Sequence, residues 1–355
     1  MNATAGSDDE NDALPERLAG KSAITIVDVA READVSIRTV SRVLNGEKHV
    51  SLKKRTRVQE VIDRLAFVPS ASARSLPSSR SYTLGLIFEK LSANYMMDIQ
   101  LAAIEECHKS GYRLIIEEFT PEMLASVAAA RTAVANLRVD AAILLPPACD
   151  NSILLDALDA VRIGYTRLSP AIALNRSAAV TMDDERATHA MVSHLVDLGH
   201  RRIGFLVGNI GHASAHRRLQ AFWTAIDALG LPRSDALVRQ GDYNFDSGLA
   251  AGHSLLSEAE PPTAIFASND TMAAGVIAAA GIRGLRTPQD LSVCGFDDSP
   301  LSRHIWPSLT TIHQPLAEMT RAAVGQILAP ESKKRLISFD FSLVVRASTT
   351  APPRA

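Results

Sequence analysis

The sequence predicts a small all-α head carrying a helix-turn-helix, followed by a large α/β body built on parallel sheets. Three observations carry that reading. Residues 25–44, TIVDVAREADVSIRTVSRVL, form two short amphipathic helical patterns joined by a tight turn. From Tyr82 onward, short apolar runs alternate with amphipathic segments, the pattern of strand–helix units. Charge is also unevenly distributed. Residues 25–80 hold eleven Lys or Arg against six Asp or Glu; residues 1–24 hold two against five, and the remainder twenty-four against twenty-eight. A basic segment ahead of an acidic body is the footprint of a nucleic-acid-binding head, although the same charges would serve as an ordinary solvated surface.

At 355 residues the chain is too long for one core, so two or three domains are expected. Its 46% hydrophobic and 21% charged content is that of a globular protein free of the membrane. The first residues are acidic without an apolar segment, so no secretory leader is expected, and no apolar run reaches the length of a membrane span. Cys107, Cys149 and Cys294 lie far apart and form no metal-type or redox-type pair, which fits the reducing cytoplasm. Residues 1–24 are expected to be a disordered acidic tail.

In the head, Thr25 is placed to cap a first helix, with Asp28 at the third helical position favouring the positive helix end. Ile26, Val29, Ala30 and Ala33 fall on one stripe. Val35 is a core candidate in the turn, and Ser36 can cap the second helix. There Val40, Val43 and Leu44 point one way, whereas Ile37, Arg38, Ser41 and Arg42 point the other. An arginine on that face can make two hydrogen bonds to the major-groove edge of guanine. Ile37 suits a thymine methyl, and equally the core, since it lies three before Val40. A third helix is expected from Ser51 to Phe67, with Val58, Val61, Ile62 and Leu65 inward and Lys53, Lys54, Arg55 and Arg57 available to phosphates.

The run DVA-x-x-A-x-VS-x-x-TVSRVLN, followed by VS and a third helix, resembles the DNA-binding head of the lactose and purine repressor family, LacI/GalR. The resemblance is close over residues 25–76 and continues to about residue 350. It implies that Ile37, Arg38 and Arg42 read bases of double-stranded DNA, with Ser41 and Asn45 near the backbone. It likens PSASARSL (69–76) to a hinge helix in which Ser70, Ala73 and Leu76 face the minor groove, Leu76 as the wedge that kinks the duplex. A flexible Ser-rich linker is the alternative for that segment when free. Two positions depart from the pattern: Asp34 stands where glycine is usual in the turn, and Ser70 where asparagine is usual.

Strand candidates in the body are residues 82–88, 113–119, 140–146, 202–208, 263–268 and 291–296, with helical patterns at 96–110, 121–136, 185–198 and 270–280 among others. In such folds ligands sit beyond the carboxyl ends of the strands. The resemblance implies a two-lobed, periplasmic-binding-protein-like core with a cleft between the lobes. It divides the chain into a head at 25–68, a hinge at 69–80, a core at 81–346 and a tail at 347–355. Lobe 1 takes about 81–184 plus 314–338, and lobe 2 about 185–313 plus 339–346.

By the same resemblance Arg218, Tyr243, Asn269 and Asp297 line the effector cleft. Ser92, Asn94 and Tyr95 occupy the place of the family's Ser-Asn-Pro-aromatic run, here without the proline. An Arg, an Asn, an Asp and a ring suit a sugar, since polar groups fork onto hydroxyls and a ring covers an apolar face. Asp183, Asp270 and Asp298 have structural roles as the alternative, Asp270 as a helix cap or a hinge-side structural residue. His212 and His216 lack a third metal ligand, and GNIGHAS lacks the Lys-Ser/Thr end of a phosphate loop.

No cofactor fingerprint and no nucleophile–base spacing is present, so no cofactor and no enzymatic activity are expected. The expected function is a cytoplasmic, DNA-binding repressor of carbohydrate genes that binds a palindromic operator as a homodimer under the control of a small-molecule effector, a sugar. A purine, nucleoside or other metabolite is the alternative effector, and a transport-type sugar-binding protein the alternative class. The ending LVVRASTTAPPRA has no leucine heptad, which favours a dimer over a tetramer.

Overall fold

The computed structural model of the chain describes residues 24–44, 47, 49–67, 80–329 and 336–353. The acidic segment before residue 24, Asn45, and the hinge candidates Ser70, Ala73 and Leu76 lie outside the described residues. The chain divides into two compact units, Met1–Arg80 and Ser81–Ala355.

The first unit contains helices α1 (Ile26–Ala33), α2 (Ile37–Leu44) and α3 (Leu52–Leu65). Thr25 and Asp28 form a reciprocal capping box: the Asp28 amide donates to Thr25 Oγ1, and the Thr25 amide donates to Asp28 Oδ2 at 2.9 Å. The turn into α2 is made at Asp34, whose φ of 54° and ψ of 48° are left-handed. Asp accepts that region better than most residues, which is how the turn closes without glycine. Ser36 caps α2 by accepting from the Thr39 amide at 3.2 Å. Val29, Ala30, Ala33, Val40, Val43, Val58, Val61, Ile62 and Phe67 bury together as the core of this unit.

The second unit holds two six-stranded sheets. The first has the order β11-β5-β4-β3-β1-β2: β1 (Thr83–Phe88), β2 (Arg113–Glu118), β3 (Ala141–Leu144), β4 (Gly164–Leu168), β5 (Ala178–Met182) and β11 (Leu336–Phe339). The second has the order β12-β10-β9-β8-β6-β7: β6 (Ile203–Val207), β7 (Val238–Gln240), β8 (Ala264–Ala267), β9 (Ser292–Asp297), β10 (Thr310–His313) and β12 (Ser342–Val344). Every pairing is parallel except that of β12 with β10, an antiparallel edge on an otherwise parallel sheet. β3, β6 and β8 are buried along their whole length, because helices cover both sheet faces. Edge strand β2 alternates between half-buried and exposed residues.

The chain passes between the sheets three times: between β5 and β6 through helix Asp184–Asp197, after β10 into helix Leu316–Leu328, and between β11 and β12. Most helices start on a side-chain cap, as with Ser92, Ser126, Asn151, Asp183, Asn244 and Asn269. Among the described residues no helix is long and apolar enough to cross a membrane.

Candidate functional site

In the head, α2 buries Val40 and Val43 and turns Ile37 and Arg38 outward; Ile37 is 48% exposed. Its apolar side chain is therefore displayed rather than packed in this unit. Ser41 and Arg42 are half-buried, and Arg42 Nε lies 3.4 Å from Glu47 Oε2. Lys53, Lys54 and Arg57 are exposed at the start of α3, whereas Arg55 donates to the Glu47 carbonyl at 2.6 Å. The surface combines a guanidinium fork, an apolar neighbour and separate point charges, the side-chain types between which base reading and phosphate contact are divided.

In the second unit a cavity of about 520 Å³ opens where the strands of both sheets end. The segments after β1, β3 and β4 supply Glu89 to Ser92, Tyr95, Pro146 and Ser169. Those after β6, β7, β8 and β10 supply Asn209, His212, Asp242, Tyr243, Asn269 and Gln314, and β9 ends on Asp297 itself. Three of these residues hold left-handed backbone: Ser169 (φ 51°), Tyr243 (57°) and Asp297 (116°). Strain of this kind persists where surrounding structure over-determines it, and it clusters at ligand sites. Gly208 explains one contact: a Cβ there would lie 1.9 Å from Tyr243 Cζ, so its bare backbone lets the ring lie flat against β6's end.

Arg218 is the electrostatic centre. Its Nε donates to Asp184 Oδ1 at 2.9 Å, its Nη1 to the Ser268 carbonyl at 2.7 Å, and its guanidinium lies 3.5 Å from the centre of the Phe296 ring. Arg217 also reaches Asp184, at 3.2 Å. Asp297 accepts from Gln314 Nε2 at 2.7 Å and is pushed well above the usual carboxylate range by its withdrawal from bulk water, with Asp270 adding to the shift. Burial likewise raises the Tyr95 and Tyr243 hydroxyls and lowers His212, so all three are neutral at pH 7.

Of the residues expected at the cleft, Ser92, Tyr95, Arg218, Tyr243, Asn269 and Asp297 do line this one cavity. Asn94 does not: its side chain donates to Thr271 Oγ1 at 3.3 Å, a contact between the lobes. Asn269 lines the wall while capping helix Asp270–Ile282, its Oδ1 accepting from the Met272 amide and its Nδ2 donating to the Tyr243 carbonyl at 3.0 Å. The cap is thus Asn269 and not Asp270. Asp270 is instead a buried hub that accepts from the Ser299 amide, Ser299 Oγ and Thr311 Oγ1. Asp298 joins Ser302, Arg303, His313 and Arg346, and Asp183 caps helix Asp184–Asp197. His212 faces the cavity while His216 is exposed. Among the described residues no group of three His, Cys, Asp or Glu is placed to hold a metal.

Glu89, Lys90, Asp184, Asn209, Asp242 and Gln314 were missed by sequence reading. Their signal was positional: each follows the carboxyl end of a strand, where α/β ligands bind.

A helix-turn-helix unit joined to a two-sheet body with a ligand-sized cleft defines a ligand-responsive DNA-binding regulator. Residues 25–70 match the family described as bacterial regulatory proteins, lacI family, and residues 192–349 match the periplasmic binding protein-like domain. The chain is 33% identical over 302 residues to catabolite control protein A of Priestia megaterium, covering 85% of this chain and 90% of that one. It is 32% identical over 336 residues to the ribose operon repressor of Haemophilus influenzae, covering 91% and 98%. The lac repressor dimer bound to operator and the anti-inducer ONPF superposes with a TM-score of 0.79 at 30% identity, over 93% of this chain and 100% of that chain. The chain belongs to the lacI family, whose members are DNA-binding transcriptional regulators with an effector-binding core and not enzymes.

Proposed function

We propose that the chain is a cytoplasmic repressor of carbohydrate-utilisation genes, acting as a homodimer on a palindromic operator, with its affinity set by a sugar held in the interlobe cavity. The observation that carries this reading is the cavity wall, where side chains from the carboxyl ends of both sheets meet. Arg218 and Asp297 supply donors and an acceptor for hydroxyls, and Tyr95 and Tyr243 supply apolar faces. A ligand touching both lobes favours one lobe arrangement over another, and only such a difference can alter DNA affinity. Two α2 helices reading a palindrome require two-fold symmetry, hence the dimer. Ile37, Arg38, Ser41, Arg42 and Asn45 are its DNA contacts, with Ser70, Ala73 and Leu76 of the hinge.

The ribose operon repressor among the relatives supports a sugar. A nucleoside is the second reading, favoured by three rings, Tyr95, His212 and Tyr243, lining the cavity; yet His212 and Tyr243 are tilted by 52° and do not form a parallel slot. Anisotropy of the full chain on its selected operator, titrated with pentoses, hexoses, disaccharides and nucleosides, tests the choice. A response to a sugar alone is expected. A response to a nucleoside alone would overturn the carbohydrate assignment and leave the cavity assignment standing.

A further inference from the structure

The charges lining the cavity do not balance. Five carboxylates, Glu89, Asp150, Asp184, Asp242 and Asp297, face two cations, Lys90 and Arg218. Three of the five have an ion-pair partner: Asp150 lies 3.7 Å from Arg167, Asp184 is held by Arg217 and Arg218, and Asp242 lies 3.3 Å from Lys90. Glu89 and Asp297 have no ion pair within 4 Å among the described residues, and each has a single side-chain hydrogen bond, from Asn151 at 3.4 Å and from Gln314 at 2.7 Å. They stand on opposite walls, Glu89 beyond β1 of the first sheet and Asp297 at the end of β9 of the second.

Both cations already hold a carboxylate. Arg218 is engaged through Nε and Nη1 with Asp184 and the Ser268 carbonyl, and Lys90 is 83% exposed on the rim and paired with Asp242. A phosphate or carboxylate entering the cavity would therefore face two carboxyl groups that lack an ion pair, beside cations whose charge is already offset. An ammonium group would find a carboxyl group on either wall and the rings of Tyr95 and Tyr243 lining the same cavity.

Resting on the effector reading above, we infer that the cavity selects a hydroxyl-rich ligand bearing an ammonium group, an aminated sugar or polyol, over its neutral parent and over phosphorylated or carboxylated relatives. Burial supports the assignment, since it raises the Glu89 and Asp297 carboxyls and a neighbouring ammonium would bring them back to the charged form.

The test is calorimetry of the full chain at pH 7 with matched sets of probes. Each set holds a neutral hexose or pentose, its 2-amino-2-deoxy counterpart, the N-acetyl form of that amine, and the corresponding uronic acid or sugar phosphate. The amine should bind at least about tenfold more tightly than its neutral and N-acetyl partners. Glu89→Gln should reduce that preference to about twofold or less, read as the ratio of the amine's affinity to its neutral partner's in the same variant. A neutral sugar bound as tightly as its amine would overturn the charge assignment but preserve the sugar reading. Tighter binding of an acid or phosphate would overturn it as well, and no binding by any set would overturn both.

Discussion

Arg218 and Asp184 are joined at 2.9 Å, both side chains only 7% exposed, at the point where the chain leaves the first sheet for the second. Asp184 opens the helix of that crossover, and Arg218 lies on the second lobe's Ala213–Ala228 helix. The pair thus fixes a wall of the cavity and a crossover together. Removing one member of a buried pair strands the other and costs about 3–5 kcal/mol. Because Arg217 still reaches Asp184 at 3.2 Å, Arg218→Ala should fall toward the low end of that range in urea unfolding. Arg218→Lys should keep most of the stability but lose the effector response, since lysine lacks the fork that bonds Asp184 and Ser268 together.

Gly208→Ala separates the wall from the fold. The new methyl would collide with the Tyr243 ring, which would have to shift along the cavity wall. Melting temperature should change little, and the effector's Kd should rise about tenfold or more. An unchanged Kd would show that the Tyr243 ring is not part of the binding surface.

The fold was legible where the pattern was strong and obscure where polar residues occupy strands. β1, β2, β3, β6 and β8 fall within the apolar runs of the sequence and β9 overruns its run by one residue, each within two residues of the expected ends. β4 reads GYTRL, and its Arg167 is fully buried because the guanidinium is used up by Ser177 Oγ and by the carbonyls of Cys149, Ile172 and Ala173. β10 reads TTIH, with Thr310 and Thr311 buried through hydrogen bonds to Ser348, Thr349 and Asp270. Hydrophobic periodicity does not register a strand whose polar groups are satisfied by partners distant in sequence. The site follows the same logic. Arg218 and Asp297 sat in recognisable runs, whereas Asp242 and Gln314 gained meaning only once the strand ends converged.

Acid should weaken the core through His200. This fully buried ring bonds Thr263 Oγ1 at 2.8 Å through Nδ1, and it donates from Nε2 to the Thr350 carbonyl at 2.8 Å, holding the C-terminal segment. Burial lowers its pKa, against the pull of the Thr350 carbonyl, so the folded state binds fewer protons than the unfolded state near neutrality. Its contribution is therefore complete above the unfolded value of about 6.5 and is lost as pH falls through that value toward the folded pKa. His194 and His212 are lowered by burial too and act with the same sign. His313 has the opposite sign: its hydrogen bond to Asp298 raises its pKa, so its contribution is present below about 6.5 and lost as pH rises through the folded value. Asp270, Asp297 and Glu89 act with the sign of His313, because burial raises their carboxyls and the folded state takes up protons there as pH falls. The His200 share is therefore read by difference: the urea midpoint of the native chain relative to that of His200→Gln should fall between pH 7.5 and 5, and a difference that stays flat or rises would contradict a lowered His200.

In the head, Asp34 at φ 54° sets two effects against each other. Asp34→Gly removes left-handed strain but gives the unfolded chain more freedom, so head stability should stay within about 0.5–1 kcal/mol. Asp34→Val should lose more than about 1 kcal/mol, because a β-branched residue resists that region. Thermal unfolding of the full chain, followed by helix content, separates the two. Equal stability of all three would show that the turn is not left-handed at residue 34.

Under the proposed function, occupancy of the interlobe cavity and binding of DNA should report on each other. The most direct measurement is sequencing of genomic fragments retained by the purified chain, repeated with neutral and aminated sugars and nucleosides, for the native protein and for Arg218→Ala. The expected result is a shared palindrome whose retention changes with one ligand in the native protein and with none in the variant. A palindrome that no ligand affects, or one that responds equally in both proteins, would contradict control through this cavity.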